Sequence, residues 1–356
     1  MPLKLTTIVG ARPQFIKAAA VSGAIKRLYT KFPIDETIIH TGQHYDDIMS
    51  DVFFRDLDIP QPAINLGIGS FPHGEQVGKM LIALEPVLQE QKPDLLLVYG
   101  DTNSTLAGAL TATKLGIPVA HVEAGLRLYT REVPEETNRV LTDHMSSYLF
   151  CSSRESVDNL YRESIDRGVF ISGDVMLDVF NKYKNEARAK GDNWHTLYGN
   201  YYLCTIHRPD NTDDVDHLVQ VLEAVASLDL PVIMPLHPRT RAKLSGYVFP
   251  ENLHVIEPVS YLDMLALEAS AEIIITDSGG MQKEAFWWNV PCVLVQRWTE
   301  WVELETPGCM ILTGQDPMNI KQAIKIFRTQ SAQYKPSPDL YGVGYAAENI
   351  VRLLGK

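Results

Sequence analysis

The stretch Leu95-Leu-Leu-Val-Tyr99-Gly100-Asp101-Thr-Asn-Ser-Thr105, followed by Leu106–Leu115 and then by Val119-Ala-His-Val122-Glu123, decides the fold. Two short runs, apolar at nearly every position, bracket a helical segment that opens on a polar turn. A strand that does not alternate apolar with polar residues is buried on both faces, which is the habit of a parallel sheet covered by helices. Parallel neighbours need a crossover, so the stretch reads as one βαβ unit. The same beat recurs outward in both directions. Strands are expected at Leu5–Val9, Glu36–His40, Leu95–Tyr99, Val119–Val122 and Tyr148–Cys151, with a last one in Val169–Gly173. A second series follows at Tyr202–Ile206, Val232–Pro235, Leu253–Ile256, Glu272–Thr276 and Cys292–Val295.

A chain of 356 residues exceeds the size at which one core keeps growing. Two α/β domains are therefore expected, each with a Rossmann-like parallel sheet: 1–173 joined by a C-terminal helix at 343–356, and 174–342. Hydrophobic residues at 45% and charged residues at 21% are ordinary for a globular protein. The net charge of -12 argues against a broad basic surface for nucleic acid or anionic lipid. No apolar run approaches the ~20 residues of a membrane span, and the start lacks the h-region of a signal peptide, so a cytoplasmic protein is expected. Cys151, Cys204, Cys292 and Cys309 form no C-x-x-C pair and read as buried reduced thiols.

In open parallel sheets ligands sit beyond the carboxyl ends of the strands, where the strand order reverses. The residues that follow each strand are therefore the ones to read. Gly10-Ala-Arg12-Pro-Gln-Phe-Ile-Lys17 follows the first strand, and Thr41-Gly-Gln-His44 the second. Asp101 and Glu123 leave two strands at the same edge and can face one pocket. Asp101 also reads as a helix N-cap. Glu123, directly after Val-Ala-His-Val, is costly unless it points into a polar site. Pro134-Glu135-Glu136-Thr-Asn138-Arg139 opens a helix, where carboxylates also serve the positive end of the dipole.

The second half offers an anion site. In Thr276-Asp277-Ser278-Gly279-Gly280-Met-Gln-Lys-Glu284 a strand passes into a helix, so the glycines allow close approach and the helix end offers amides to a phosphate. Glu284 stands where a carboxylate could take both ribose hydroxyls. Thr205-Ile-His207-Arg208 adds an imidazole and a guanidinium, and His237 lies in Leu236-His-Pro-Arg-Thr240. No metal motif and no G-x-G-x-x-G of a nicotinamide or flavin site is present, so neither metal nor cofactor is expected.

Taken together and in this order, these segments, with Ser260-Tyr-Leu-Asp263, resemble the non-hydrolysing UDP-N-acetylglucosamine 2-epimerases over essentially the whole chain. The resemblance implies a GT-B-like fold with the active site in the interdomain cleft, a UDP-sugar substrate and a homodimer. It implies that Arg12, Arg139, His207 and the Ser278-Gly279-Gly280 amides hold the diphosphate and that Glu284 holds the ribose. Asp101, Glu123 and Glu135 become the acid/base candidates, with His207 also placed in the catalytic group, while Lys17, His44 and His237 line the site. Ala11, Gln14 and Thr299-Glu-Trp-Val-Glu303 depart from the family's usual Gly-Thr-Arg-Pro-Glu and Thr-Glu-Arg-Pro-Glu. These variants are similar to the branch acting on UDP-2,3-diacetamido-2,3-dideoxy-glucuronate, for surface polysaccharide synthesis, with UDP-GlcNAc the alternative substrate. A GT-B glycosyltransferase would share the nucleotide site but has no need of the three carboxylates.

Overall fold

Two all-parallel sheets carry the chain, in a computed structural model that describes residues 1–43, 61–305, 308–330 and 339–356. The first sheet takes β1 Leu3–Val9, β2 Ile34–His40, β3 Ile64–Asn65, β4 Leu95–Tyr99, β5 Val119–Val122, β6 Tyr148–Cys151 and β7 Val169–Ile171. Its spatial order is β3-β2-β1-β4-β5-β6-β7, every neighbour parallel. The crossovers are α1 Arg12–Leu28, α2 His73–Gln91, α3 Asn103–Lys114, α4 Pro134–Met145 and α5 Arg154–Arg162. Both faces are covered: Ile8, Ile39, Leu96 and Val98 of the strands pack with Met80, Leu84 and Leu88 of α2 in one core.

The second sheet takes β8 Tyr202–Thr205, β9 Val232–Pro235, β10 Leu253–Ile256, β11 Ile273–Thr276, β12 Cys292–Leu294 and β13 Met310–Leu312. Its order, β10-β9-β8-β11-β12-β13, repeats the first, with parallel pairing throughout. Its helices are α6 Val175–Tyr198, α7 Pro209–Thr212, α8 Val215–Ala226, α9 Pro238–Lys243, α10 Tyr261–Ser270, α11 Gly279–Trp288 and α12 Pro317–Gln330. Cys204, Val221, Leu222, Met234, Ile275 and Ile324 lie in its core.

The compact units are Met1–Asn181 with Pro338–Lys356, and Lys182–Ser337. The change of unit thus falls inside α6 rather than at Gly173. The last helix, α13 Ala346–Leu354, belongs to the first unit and packs on α1. Asp178 accepts from the Ala346 and Ala347 amides, at 3.0 and 2.7 Å, and so caps the N-terminus of α13. All ten strands expected in the two series, and the one in Val169–Gly173, are present with ends shifted by two residues at most. The short strands β3 and β13 were not anticipated. The four cysteines are buried and none is in a disulfide. Among the described residues, no helix is long and apolar enough to cross a membrane.

In each sheet the order reverses between its first and fourth strands in sequence: β1 and β4 in the first, β8 and β11 in the second. The loops after these four strands are Gly10–Ala11, Gly100–Thr102, Ile206–Arg208 and Asp277–Ser278. They carry Asp101, His207, Arg208 and Ser278.

Candidate active site

In the first unit the carboxyl ends of β1, β4 and β5 converge on a small set of polar side chains. Glu123, the residue after β5, has φ 72°. Non-glycine residues seldom occupy this left-handed region, and such strain persists only where the surroundings impose it. Here the Glu123 and Ala124 amides are both tied to the Phe150 carbonyl, at 3.0 and 3.1 Å. The Glu123 carboxylate, 8% exposed, forms an ion pair with Lys17 of α1, itself 10% exposed. A Cβ on Gly100 would lie 3.3 Å from both Glu123 Oε2 and Lys17 Nζ, and Gly100 has φ 60°, so the pair rests against a turn that favours glycine.

Asp101 does not cap α3. Thr102 is the N-cap and accepts from the Thr105 amide. The Asp101 carboxylate instead takes a hydrogen bond from Arg139 Nη2 at 2.5 Å, while Asn138 Nδ2 donates to the Asp101 carbonyl at 2.9 Å. Both partners lie on α4, whose first turn carries the two glutamates. Glu135 is exposed, whereas Glu136 is buried and accepts from the Leu128 and Tyr129 amides. Glu136 also lies 3.3 Å from Arg139 Nη1. The neighbouring glutamates are thus divided: Glu136 closes the preceding loop and Glu135 is left at the surface.

Gln14 is part of the scaffold. Its Oε1 accepts from the Gly10 and Ala11 amides and its Nε2 donates to the Tyr99 carbonyl and Thr105 Oγ1, which ties the loops after β1 and β4 together. Arg12, half-buried, is the first residue of α1. His44 lies outside the described residues.

Behind these groups is a buried network. His121 meets Asp143 Oδ1 through Nδ1 and the Gly100 carbonyl through Nε2, both at 2.7 Å. Arg127 reaches Asp143 Oδ2 at 2.7 Å and grips Glu163 through two hydrogen bonds of 2.7 Å. Burial alone would push the Asp143 carboxyl up, but His121 and Arg127 outweigh it and hold it below the usual range. Through His121 this network supports the turn from which Asp101 departs.

In the second unit the organising residue is Asp277, fully buried after β11. It accepts from the His207 and Arg208 amides and from Asn211 Nδ2, at 2.9 Å each, and its Oδ1 lies 3.0 Å from His207 Nδ1. Burial is again outweighed, by His207 first and then by Asn211 and the Arg208 amide, so its carboxyl is held below the usual range. The half-exposed His207 ring is thereby fixed through Nδ1, with Nε2 as its remaining nitrogen. His237 caps α9, accepting from the Arg239 amide at 3.2 Å.

The N-terminus of α11 is half-buried. Gly279 and Gly280 have no positive φ, and a Cβ on either would meet nothing closer than 3.5 Å. Neither conformation nor packing within the chain calls for glycine there, which fits close approach by an external group to the helix amides. Gly10 is the opposite case: its Cβ would fall 2.0 Å from Ser104 Oγ. Arg208, Glu300 and the Trp301 indole surround Gly279, with Arg208 Nη2 3.9 Å from Glu300 Oε1. The Lys283 ammonium, buried, lies 3.9 Å from the centre of the Trp301 ring. Glu284, 4% exposed, accepts from the Tyr261 hydroxyl at 2.9 Å. Among the described residues no cluster of His, Cys, Asp or Glu could hold a metal ion.

The sequence alone does not single out Asp277, Asp143 or Tyr261 as shaping the site. For Asp277 a signal was present, since an acidic residue directly after a buried strand, Ile273-Ile-Ile-Thr276, must be paired.

Comparison with known proteins places this geometry. The family model described as UDP-N-acetylglucosamine 2-epimerase matches residues 26–355. A UDP-N-acetylglucosamine 2-epimerase homolog from Methanococcus maripaludis is 46% identical, over 99% of both chains. The UDP-2,3-diacetamido-2,3-dideoxy-D-glucuronate 2-epimerase of Pseudomonas aeruginosa is 43% identical, over 99% of this chain and 100% of that one. The crystal structure of Methanocaldococcus jannaschii UDP-GlcNAc 2-epimerase, in complex with UDP-GlcNAc and UDP, matches with a TM-score of 0.91 at 40% identity over 99% of both chains. With two Rossmann-like parallel sheets and relatives of this kind along its whole length, the chain belongs to the UDP-N-acetylglucosamine 2-epimerase family and is a UDP-sugar 2-epimerase, an isomerase.

Proposed function

We propose that the chain inverts C2 of a UDP-linked 2-acetamido sugar without hydrolysis, by eliminating UDP and adding it back. The C2 hydrogen has no neighbouring carbonyl to acidify it, so its removal is coupled to departure of UDP. A base takes the C2 proton, the electron pair forms the C1=C2 double bond, and the C1–O bond to UDP breaks, giving a 2-acetamidoglucal. Re-addition of UDP, with a proton delivered to C2 from the opposite face, completes the inversion. The observation that carries this reading is Glu123, held in a left-handed backbone conformation against Lys17 beside the Asp101–Arg139 pair. Asp101, Glu123 and Glu135 are the acid/base groups, and Lys17 and Arg139 are the cations that hold two of them in place. In the second unit, His207, Arg208 and the α11 amides take the diphosphate and Glu284 takes the ribose.

For the substrate we favour UDP-2,3-diacetamido-2,3-dideoxy-glucuronate, the sugar nucleotide named for the Pseudomonas aeruginosa relative. The supporting feature is Trp301 stacked on Lys283 beside the anion site, an apolar wall backed by a cation. Arg127 is fully engaged by Asp143 and Glu163, so it is not the group that reads a sugar carboxylate. Gln14, with both ends of its amide bonded, acts through the loop it holds. UDP-GlcNAc is the second reading, favoured by the Methanococcus and Methanocaldococcus relatives. Incubation with each sugar nucleotide, followed by proton NMR, compares their specificity constants. A tenfold preference for UDP-GlcNAc, about 1.4 kcal/mol in transition-state binding, would reject the uronic reading and leave the epimerase assignment standing.

A further inference from the structure

Glu268, on α10, is fully enclosed, at 0% exposed. Among the described residues no lysine, arginine or histidine pairs with it. What it faces is the Glu284 carboxyl and the Trp288 indole on α11. The Cys292 thiol of β12 and the Tyr201 phenol lie near enough to feel its charge. The Tyr201 hydroxyl is spoken for, donating to the Leu267 carbonyl at 2.7 Å. Arg188 of α6 stacks over the Trp288 ring at 5.5 Å.

If both glutamates were ionised, the Trp288 indole would be the one donor facing the Glu268 carboxylate among the described residues, with no cation beside it. A buried carboxylate left in that state costs several kcal/mol, whereas one proton shared by the pair turns the contact into a charge-assisted hydrogen bond. Glu268 is the member that keeps the proton. Burial pushes its carboxyl well above the usual range and the neighbouring Glu284 pushes it further.

We propose that Glu268 is a positioning residue for the nucleotide: its carboxyl donates a hydrogen bond to Glu284 and holds that carboxylate in the orientation that receives the ribose hydroxyls. The inference rests on the reading of Glu284 as the ribose acceptor. The geometry around Glu284 supports it. Oε1 takes the Tyr261 hydroxyl, and Oε2 lies 4.0 Å from where a Cβ on Gly280 would stand, on the side of the helix N-terminus. Two donors on α10, Tyr261 and Glu268, therefore brace one acceptor from the interior. Without the second, Glu284 keeps its charge but loses a fixed direction, and a bidentate grip on two hydroxyls depends on direction.

Calorimetric titration of the full chain with UDP and with 2′,3′-dideoxy-UDP tests this, in the wild type, Glu268→Gln, Glu268→Leu and Glu284→Ala. The wild type should prefer UDP and Glu284→Ala should lose the preference. Glu268→Gln, which keeps a neutral donor of the same shape, should retain the preference, while Glu268→Leu should lose about tenfold in UDP affinity with little change for the dideoxy ligand. A UDP preference that survives Glu284→Ala would refute the ribose reading itself. If Glu284→Ala loses the preference but Glu268→Leu keeps it, the ribose reading stands and the proposal falls. Infrared spectra keep the question open to a decision even if Glu268→Leu fails to fold. A protonated-carboxyl band present in the wild type at neutral pH should vanish in Glu268→Gln, and a wild type without that band would overturn the proposal.

Discussion

Asp143 in the first unit and Glu268 in the second are both enclosed, at 1% and 0% exposed, and their surroundings neutralise them by opposite means. Asp143 meets the Arg127 guanidinium and the His121 imidazole, so its carboxyl is driven down. Glu268 meets another carboxyl and no cation, so it is driven up. The difference follows what each supports. The Asp143 network underlies the turn carrying Asp101, and ion pairs with fixed geometry keep that turn rigid. Glu268 braces Glu284, where a cation in its place would compete with ribose for the carboxylate. A proton gives a donor without adding positive charge.

The comparison can be broken most forcefully at the groups these networks support. Asp101→Asn, Glu123→Gln and Glu135→Gln should each lose on the order of 10²-fold or more in turnover while still binding UDP, as positioned acid/base groups do. Steady-state rates beside calorimetric titration measure both quantities. A variant with near-normal turnover removes its residue from the acid/base set. Glu135 is the most exposed to that outcome, because it stands at the surface while its neighbour Glu136 is bound into the loop.

Next in size is the network itself. Asp143→Ala leaves Arg127 and His121 enclosed without their shared anion, and should cost about 3–5 kcal/mol in urea unfolding. A loss below about 1 kcal/mol would mean that Glu163 alone satisfies Arg127.

Opposite pH slopes sharpen the contrast. A carboxyl driven down in the fold contributes stability above its unfolded range and loses it as pH falls through the folded value, so the advantage of the wild type over Asp143→Asn should shrink in acid. Glu268 has the reverse sign. Above the ordinary glutamate range the unfolded chain releases a proton that the fold retains, so stability falls with rising pH by up to about 1.4 kcal/mol per unit. Glu268→Gln lacks that loss and should gain on the wild type as pH rises, in melting curves taken across pH. Parallel curves for the two would contradict a proton held at Glu268.

The smallest effect on the fold belongs to Gly280. Nothing lies closer than 4.0 Å to an added Cβ, so Gly280→Ala should change stability by less than about 1 kcal/mol, and in the stabilising direction. UDP affinity should nevertheless drop. Unchanged affinity in a folded Gly280→Ala would remove the α11 amides from the phosphate site.

The main strands were legible because they are apolar on both faces, and the site loops because parallel sheets place their ligands beyond strand ends. β3 and β13, two and three residues long, carry too little pattern to read. Asp101 was ambiguous between cap and site because Thr102, one residue on, is an equally good cap. Adjacent residues on a helix face about 100° apart, so Glu135 and Glu136 meet different surroundings, and sequence does not say which of them is enclosed. Gln14 reads in sequence only as a departure from the family's usual glutamate, because its partners Tyr99 and Thr105 are 85 and 91 residues away. Glu268 carries no signal of its own in the sequence. It sits in Met264-Leu-Ala-Leu-Glu-Ala269, apolar apart from this glutamate, and its meaning depends on Glu284, which only the packing of α10 on α11 brings near.

The central claim is that C2 loses its hydrogen as a proton while UDP leaves C1. The most direct test is to run the reaction in D2O with the sugar nucleotide that turns over and to read the product by proton NMR. Elimination and re-addition predict deuterium at C2 of the epimer, and return of the starting material should label it at the same carbon. Epimer that keeps its original C2 hydrogen would contradict the mechanism, whichever sugar the chain prefers.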